Sequence, residues 1–311
     1  MPIRRVLVPV DFSPASSLAV NYGIGFARKF RAKLTLLHVV ESPSALMYTF
    51  PTEVARVEKQ RSAQAERMLA ALVGPEDQDD LDVRFLVRPG DIERVIAAVS
   101  LEEQADIIVM GTHGRGLFGR LLIGSVAQSM LRKAAAPVLT VCHVSRPLEF
   151  KRILFGTDLA ESSVQGFRFA LDLASQMGSS LVVAHVLDKR PLVTYETPEV
   201  TAVFDKEGRN ALQEARMKFA EFEAEGARRK VRVETVLAEG EAREALIRIA
   251  DENRVDFMIL AVRKKGAFER AFLGSTAEPV IREAHVPVLS IPVSTKSSAE
   301  ESGENVKESS E

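Results

Sequence analysis

The chain contains one series of motifs written twice in the same order. The segment "RRVLVPVDFSPASS" (4–17) corresponds to "KRILFGTDLAESS" (151–163), and "LTLLHVVE", "ADIIVMG" and "APVLTV" return as "LVVAHVLD", "VDFMILA" and "VPVLSI". A long repeat that keeps its order indicates a duplicated domain, and 311 residues are enough for two. We predict one domain over 1–143, a linker over 144–150 and a second domain over 151–293. The serine-rich and acidic segment 294–311 is predicted to be a disordered tail.

Each half alternates apolar runs with helical patterns. In the first half, the predicted strands are Val6–Val10, Leu34–Val39, Val83–Val87, Ile107–Met110 and Val138–Cys142. Apolar residues recur at helical spacing in three places, at Leu18, Tyr22, Phe26 and Phe30, at Ile92, Val95, Ile96 and Val99, and at Ala242, Ala245, Leu246 and Ile249. Strands that are apolar on both faces and alternate with helices predict a five-stranded α/β domain with a parallel sheet in each half.

A glycine-rich segment, "MGTHGRGLFGRLLIGSVAQSM" (110–130), joins the fourth predicted strand to a helical pattern. A strand–loop–helix unit of this kind directs backbone N–H groups and a helix N-terminus at one point, which suits a phosphate. We expect Gly111 and Gly114 to allow positive φ and close approach of a ligand. Gly124 and Ser125 are expected to begin the helix, with a hydroxyl that caps it or contacts phosphate. The alternative is a flexible surface turn.

Composition and charge argue against several other classes of protein. The net charge of −2 does not favour a protein built mainly to bind nucleic acid or an anionic membrane surface. No apolar run approaches the roughly 20 residues that span a bilayer, and no signal peptide is recognisable. The single cysteine, Cys142, cannot form an internal disulfide, so we expect a cytoplasmic protein. His38 and His185 lack metal-ligand neighbours, which favours packing or backbone hydrogen bonding.

Both halves resemble the universal stress protein family, part of a larger adenine-nucleotide-binding α/β group. The resemblance covers 1–143 and 151–293, and the Gly-x2-Gly-x9-Gly-Ser spacing of the first half is similar to that family's ATP-binding signature. It implies two Rossmann-like (adenine nucleotide α-hydrolase-like) domains with sheet order 3-2-1-4-5 and helices on both faces. It also implies pairing of the fifth strands, "PVLTVC" and "PVLSIP", as an intramolecular pseudo-dimer. Whether two chains pair as a homodimer stays open.

The resemblance also implies a nucleotide site at the ends of the first and fourth strands. Asp11 would lie on the ribose and phosphate side, through Mg²⁺ or Mn²⁺, and Asp-Phe-Ser-Pro can also cap the first helix. Pro9 lies beside it, and the backbone of Val39 would read the adenine edge. The phosphate loop would comprise Gly111, Thr112, His113, Gly114, Arg115, Gly116 and Leu117, and the helix start Ser125, Val126 and Ala127.

The second copy departs from this signature. Ala261 stands in place of Gly111, Lys264 in place of Gly114 and Gly156 in place of Pro9, although Gly274 and Ser275 keep the last pair. We therefore expect one functional site, and ATP binding with a regulatory role in a stress response through an unknown protein partner. One alternative is an interaction module that acts without nucleotide. Another is a slow ATPase or phosphotransferase, but the sequence shows no convincing general base, so we expect at most weak hydrolysis.

Overall fold

The computed structural model describes residues 3–41, 51–112, 123–141, 149–187, 198–264 and 274–294. Most of the predicted linker and tail, together with Cys142, therefore lies outside the described residues. The first half contains, in order, β1 (Arg5–Pro9), α1 (Pro14–Phe30), β2 (Lys33–Val40), α2 (Pro51–Ala70), α3 (Pro75–Asp80), β3 (Val83–Pro89), α4 (Ile92–Glu102), β4 (Ile107–Gly111), α5 (Ser125–Lys133) and β5 (Val138–Val141).

The second half repeats the series, and between its second and third strands the described residues form one helix where those of the first half form two. It contains β6 (Arg152–Thr157), α6 (Glu161–Met177), β7 (Ser180–Leu187), α7 (Pro198–Arg228), β8 (Val233–Glu239), α8 (Ala242–Glu252), β9 (Phe257–Lys264), α9 (Ala277–Glu283) and β10 (Val288–Ser294). Among the helices of the described ranges, none combines the length and the apolar character needed to cross a bilayer.

All ten strands form one sheet in the order β3-β2-β1-β4-β5-β10-β9-β6-β7-β8. Strands within each half are parallel, and each half has the predicted order 3-2-1-4-5. The predicted fold class is thus confirmed. The halves join where β5 and β10 pair in antiparallel orientation.

The junction between the halves has an approximate twofold symmetry. Leu139 lies directly opposite Leu289, its equivalent 150 residues further along the chain. Gln128 and Glu278 are equivalent in the same way, and the Gln128 amide donates to the Glu278 carboxylate at 3.2 Å. In a symmetric interface, residues near the axis contact their own equivalents. The pairing of the fifth strands is therefore the one that the family resemblance implies.

Two hydrophobic cores cover the two faces of the sheet, and each continues through both halves. One is formed with α1, α2, α6 and α7, and the other with α4, α5, α8 and α9. Phe150, where the chain enters the second half, packs edge-on against Phe26 of α1 at 5.1 Å and Phe257 of β9 at 6.4 Å between ring centroids. The halves therefore share apolar packing as well as a sheet.

The symmetry of the junction fails at one buried hydroxyl. Thr140 Oγ1 donates to Val288 O at 3.0 Å, whereas its counterpart Ser290, only 3% exposed, has a hydroxyl without a partner. A buried polar group without a partner is destabilising.

We expect Ser290→Ala to leave the free energy of unfolding unchanged or raise it by up to about 1 kcal/mol. Thr140→Val, which loses its hydrogen bond, should lower it by about 1 kcal/mol. Urea unfolding measures both, and a clear loss of stability in Ser290→Ala would contradict this expectation.

Candidate functional site

A cavity of about 320 Å³ lies at the carboxyl ends of the strands in the first half. Its walls come from the β1–α1 turn, the ends of β2 and β4, the start of α4 and the start of α5. In an open parallel sheet this is where the strand order reverses and where ligands bind. The cavity is lined by every predicted site residue that the structure describes, namely Pro9, Asp11, Val39, Gly111, Thr112, Gly124, Ser125, Val126 and Ala127. The remaining predicted residues, His113, Gly114, Arg115, Gly116 and Leu117, lie outside the described ranges.

Gly111 contributes to this site by close packing. Its φ is not positive, so the expectation of a left-handed turn at this residue is wrong. A Cβ added to Gly111 would lie 2.7 Å from Ala15 Cβ and 2.8 and 3.0 Å from the Ala15 backbone carbon and oxygen. The first turn of α1 therefore packs directly against the end of β4. Only glycine allows that contact without moving a helix or a strand.

The start of α5 leaves backbone amides available at the cavity. Gly124 is the N-cap, with φ −59° and ψ 148°, and it supplies no side-chain oxygen. The first intrahelical bond is donated by Gln128 N to Gly124 O, so the N–H groups of Ser125, Val126 and Ala127 lack intrahelical acceptors. All three residues line the cavity. Because the helix dipole adds partial positive charge, this end of α5 suits an anion.

The cap differs from the sequence expectation at Ser125. This residue is the first of the helix, with an exposed side chain, and the helix has no side-chain cap. The Gly124 amide instead donates to Thr112 O at 2.8 Å, and the Thr112 amide donates to Val141 O at 3.1 Å. These bonds fix the helix start to the ends of β4 and β5. The expected capping role of the Ser125 hydroxyl is therefore wrong, whereas phosphate contact stays a prediction.

Asp11 holds the turn that follows β1. Its Oδ1 accepts a hydrogen bond from Ser13 N at 3.0 Å, and the Ser13 hydroxyl in turn accepts from Ser16 N at 3.2 Å, which caps α1. The equivalent Asp158 Oδ1 accepts from Ala160 N at 3.0 Å. Asp11 thus has the predicted turn role, and Asp158 makes the equivalent turn contact. Only Asp11 lies in the wall of the described cavity.

His38 fixes the end of β2 beside this turn. Its Nδ1 lies 2.7 Å from Val10 O, and its ring centroid is 4.6 Å from that of Phe12. A carbonyl oxygen only accepts, so Nδ1 carries the proton. His185 Nδ1 lies 2.8 Å from Thr157 O in the second half. The predicted backbone hydrogen bonding of both histidines is confirmed.

The peptide groups of Val39 lie on the edge of β2 that faces β1, beyond the point where the pairing with β1 ends. Leu37 O accepts from Val10 N, and Val40 O accepts from Gly90 N beyond β3. Peptide groups alternate in direction along a strand. Those of Val39 therefore point, like those of Leu37, toward β1, whose pairing with β2 ends at Leu37. Val39 lines the cavity, and contact of its N–H and C=O with a ligand stays a prediction.

Several cavity residues did not stand out from the sequence. Ile92 and Ile96 of α4 and Met110 of β4 form apolar parts of the wall. Ile92 and Ile96 were predicted only as a buried helical stripe. A cavity wall and a protein core produce the same apolar period, so the pattern cannot distinguish them. The signal that could have found these residues is their position at the carboxyl ends of the strands.

In the second half, leucine side chains pack against the strand end that corresponds to Pro9. A Cβ added to Gly156, the counterpart of Pro9, would lie 2.8 Å from Leu260 Cδ2 and 3.3 Å from each methyl carbon of Leu246. These leucines are the counterparts of Met110 and Ile96, which line the cavity in the first half. The leucine side chains therefore lie against Gly156, where the first half has the larger Pro9 side chain.

The strand and helix ends of the second half also differ. β9 continues to Lys264, paired with β10 as far as Ser294, whereas β4 ends at Gly111. Lys264, which stands in place of Gly114, is therefore the last residue of a strand. After Gly274, which has φ +80°, α9 begins only at Ala277, the counterpart of Ala127. α9 thus begins two residues later than α5 does in the first half.

Comparisons with known proteins agree with this fold. The model of the universal stress protein family matches residues 2–141 and 149–292. A universal stress protein of Mycolicibacterium smegmatis is 28% identical over 300 residues, covering 91% of this chain and 95% of the relative. A universal stress protein of Mycobacterium tuberculosis is 26% identical over 296 residues, with 91% and 95% covered. The crystal structure of a universal stress protein from Archaeoglobus fulgidus has the same fold, with a TM-score of 0.68, 22% identity and 93% and 98% covered. The chain therefore belongs to the universal stress protein family and carries the family's domain twice.

Proposed function

We propose that the protein binds ATP in the cavity of its first half and that the bound nucleotide regulates its part in a stress response. The observation that supports this most directly is the start of α5, where three backbone amides without intrahelical acceptors line the same cavity as Asp11 and Val39. Amides at a helix N-terminus bind phosphate, and a strand edge binds a purine base. The spacing of these features suits one ligand that carries both groups.

The proposed roles follow from the chemistry of each wall. The phosphates lie at the start of α5 and the residues before it, and the adenine edge meets the peptide groups of Val39. Ile92, Ile96 and Met110 supply an apolar surface for the flat base. Asp11 is a carboxylate at the same cavity. Mg²⁺ or Mn²⁺ fits this position, because Mg²⁺ is usually held by one or two carboxylates together with nucleotide phosphates.

A regulatory output fits the arrangement better than rapid turnover. Phosphoryl transfer needs an aligned nucleophile and charges that stabilise the transition state. Among the described residues that line the cavity, Asp11 is the sole carboxylate, and it accepts a bond from Ser13 N. His38 donates through Nδ1 to Val10 O. Turnover above about 1 s⁻¹ that is abolished by Asp11→Ala would instead support the enzymatic alternative.

The test combines identification of a retained ligand with titration. Small molecules released from freshly purified, denatured protein are identified by mass spectrometry, and nucleotide-free protein is then titrated calorimetrically with Mg-ATP. We expect a released adenylate and one binding event per chain, with GTP as the control ligand. A nucleotide-free chain that neither binds Mg-ATP nor gains thermal stability from it would contradict the proposal and favour an interaction module without nucleotide. Two binding events per chain would contradict the proposal that only the first half binds nucleotide.

A further inference from the structure

Two helices that wall the cavity are joined by a polar link just outside it. α4 contributes Ile92 and Ile96 to the wall, and α5 contributes Val126 and Ala127. One residue beyond Ile92, Glu93 Oε2 accepts hydrogen bonds from Ser129 Oγ at 2.5 Å and from Lys133 Nζ at 2.9 Å. We call the three residues Glu93, Ser129 and Lys133 the clasp.

Each member of the clasp is electrostatically suited to its place. Glu93 lies in the first turn of α4 and Lys133 in the last turn of α5, where the helix dipoles favour these charges. The Ser129 hydroxyl belongs to a residue only 7% exposed, and Glu93 provides its partner. Hydrogen bonds from Ser129 and then from Lys133 hold the pKa of Glu93 below its ordinary value. Glu93 is therefore ionised at neutral pH.

The second half contains the same link with its charges exchanged. Arg243 and Glu283 are the counterparts of Glu93 and Lys133, and Arg243 Nη1 lies 3.3 Å from Glu283 Oε1. Pro279 replaces Ser129, so the hydroxyl contribution is missing there. The two helices of this fold are thus joined by an ion pair of either polarity. Both halves therefore have an attractive ion pair between these two helices, although the positive and negative residues exchange positions.

We propose that the clasp sets the spacing of α4 and α5 and thereby the width of the cavity, so that Glu93 and Lys133 are positioning residues for the ligand. The inference rests on the proposed function, because the ligand is taken to be ATP. Val126, Ser129 and Lys133 lie at helical spacing along α5, so one face of the helix carries both cavity wall and clasp. Repulsion at the clasp therefore separates the two walls.

The experiment reverses the charges of the clasp in the full chain. Glu93→Arg places like positive charges together, Lys133→Glu places like negative charges together, and the double variant reproduces the polarity of Arg243 and Glu283. Mg-ATP affinity is measured by calorimetry for each. Hydrogen exchange of 92–102 and 125–133 is measured without nucleotide. Arg243→Glu in the second half is the control, because it places a negative charge beside Glu283, and also beside Glu241 and Glu244, away from the cavity.

We expect each single variant to weaken Mg-ATP binding about fivefold and to speed hydrogen exchange in both helices. The double variant should bind Mg-ATP with an affinity within about twofold of the parent's. The control should keep the parent's affinity. A long-range charge effect gives a different pattern, since Glu93→Arg would then strengthen phosphate binding while Lys133→Glu weakened it. That pattern, failure of the double variant to recover, or an equal loss in the control would overturn the inference.

The two proposals fail in distinguishable ways. If the parent chain does not bind Mg-ATP, the proposed function fails, and the exchange rates alone then decide whether the clasp controls the spacing of the helices. If the parent binds and the single variants bind equally well, the proposed function stands and the positioning role is overturned. Unchanged exchange in both single variants also overturns the positioning role, whatever the nucleotide result.

Discussion

Replacing Gly111 with alanine is expected to lower the free energy of unfolding by about 3 kcal/mol and to abolish detectable ATP binding. The new Cβ would lie 2.7 Å from Ala15 Cβ and within 3.0 Å of the Ala15 backbone. α1 cannot move away easily, because Ala19 and Phe26 are fully buried against the sheet. The end of β4 must therefore shift. That shift displaces Thr112, whose carbonyl holds the start of α5 through Gly124 N.

Two further variants make this prediction specific. Gly111→Ala combined with Ala15→Gly removes the contact between Cβ atoms but keeps those with the backbone carbon and oxygen at 2.8 and 3.0 Å, so only partial recovery is expected. Ala261→Gly alters the equivalent position of the second half, which packs against Gly166, and should leave ATP affinity unchanged. Urea unfolding and calorimetric titration with Mg-ATP provide the readouts. A stable Gly111→Ala chain with the parent's affinity would show that this contact is not needed.

Replacing Asp11 with alanine is expected to weaken Mg-ATP binding by roughly 10- to 100-fold, the usual effect of losing a hydrogen bond or ion contact to a charged group. The substitution also removes the acceptor for Ser13 N. Asp11→Asn separates the two effects, because its amide oxygen can keep that turn while the charge is lost. We expect Asp11→Asn to bind ATP weakly and to lose most of the dependence of affinity on Mg²⁺.

Asp158→Ala is the matched control for this site. Asp158 makes the same turn contact, with Ala160 N, and also accepts a hydrogen bond from the Ser163 hydroxyl, but it lies in the half where Ala261 and Lys264 replace two glycines of the signature. Its loss should reduce thermal stability at least as much as Asp11→Ala and leave nucleotide affinity unchanged. Titrations with Mg²⁺ and with EDTA measure the effect. Equal Mg-ATP affinity in Asp11→Asn and the parent would remove Asp11 from the proposed metal contact.

The strands were predictable because apolar runs record burial directly, whereas their order came from the resemblance to the family. The predicted Ile107–Met110 and Val83–Val87 differ from β4 and β3 only at their ends. The full length of β9 was not predicted, since the repeated motif "VDFMILA" ends at Ala261. Its continuation to Lys264 depends on pairing with β10 as far as Ser294, a contact between segments distant in sequence. Pairing across that distance leaves no local pattern.

The sequence selected residues that lie together in the structure, but the reason it gave for one of them was wrong. Motif and resemblance together selected residues that line one cavity, including Asp11 and Val39. The reason for Gly111 was wrong, because a required glycine looks the same in sequence whether its φ is positive or a helix packs against it. The clasp was also missed. Glu93 and Lys133 are ordinary surface charges in sequence, and only the packing of α4 on α5 brings them together.

The pairing of β5 with β10 has a consequence for how the protein responds to dilution. In a dimer built from separate subunits, an interface of this kind is lost as the concentration falls below the dissociation constant. Here both edges belong to one polypeptide, so they meet at an effective concentration set by the connecting segment, in the millimolar range for short connections. The continuous ten-stranded sheet should therefore persist in very dilute solution. The number of molecules in the cell then has no influence on whether the two halves remain joined.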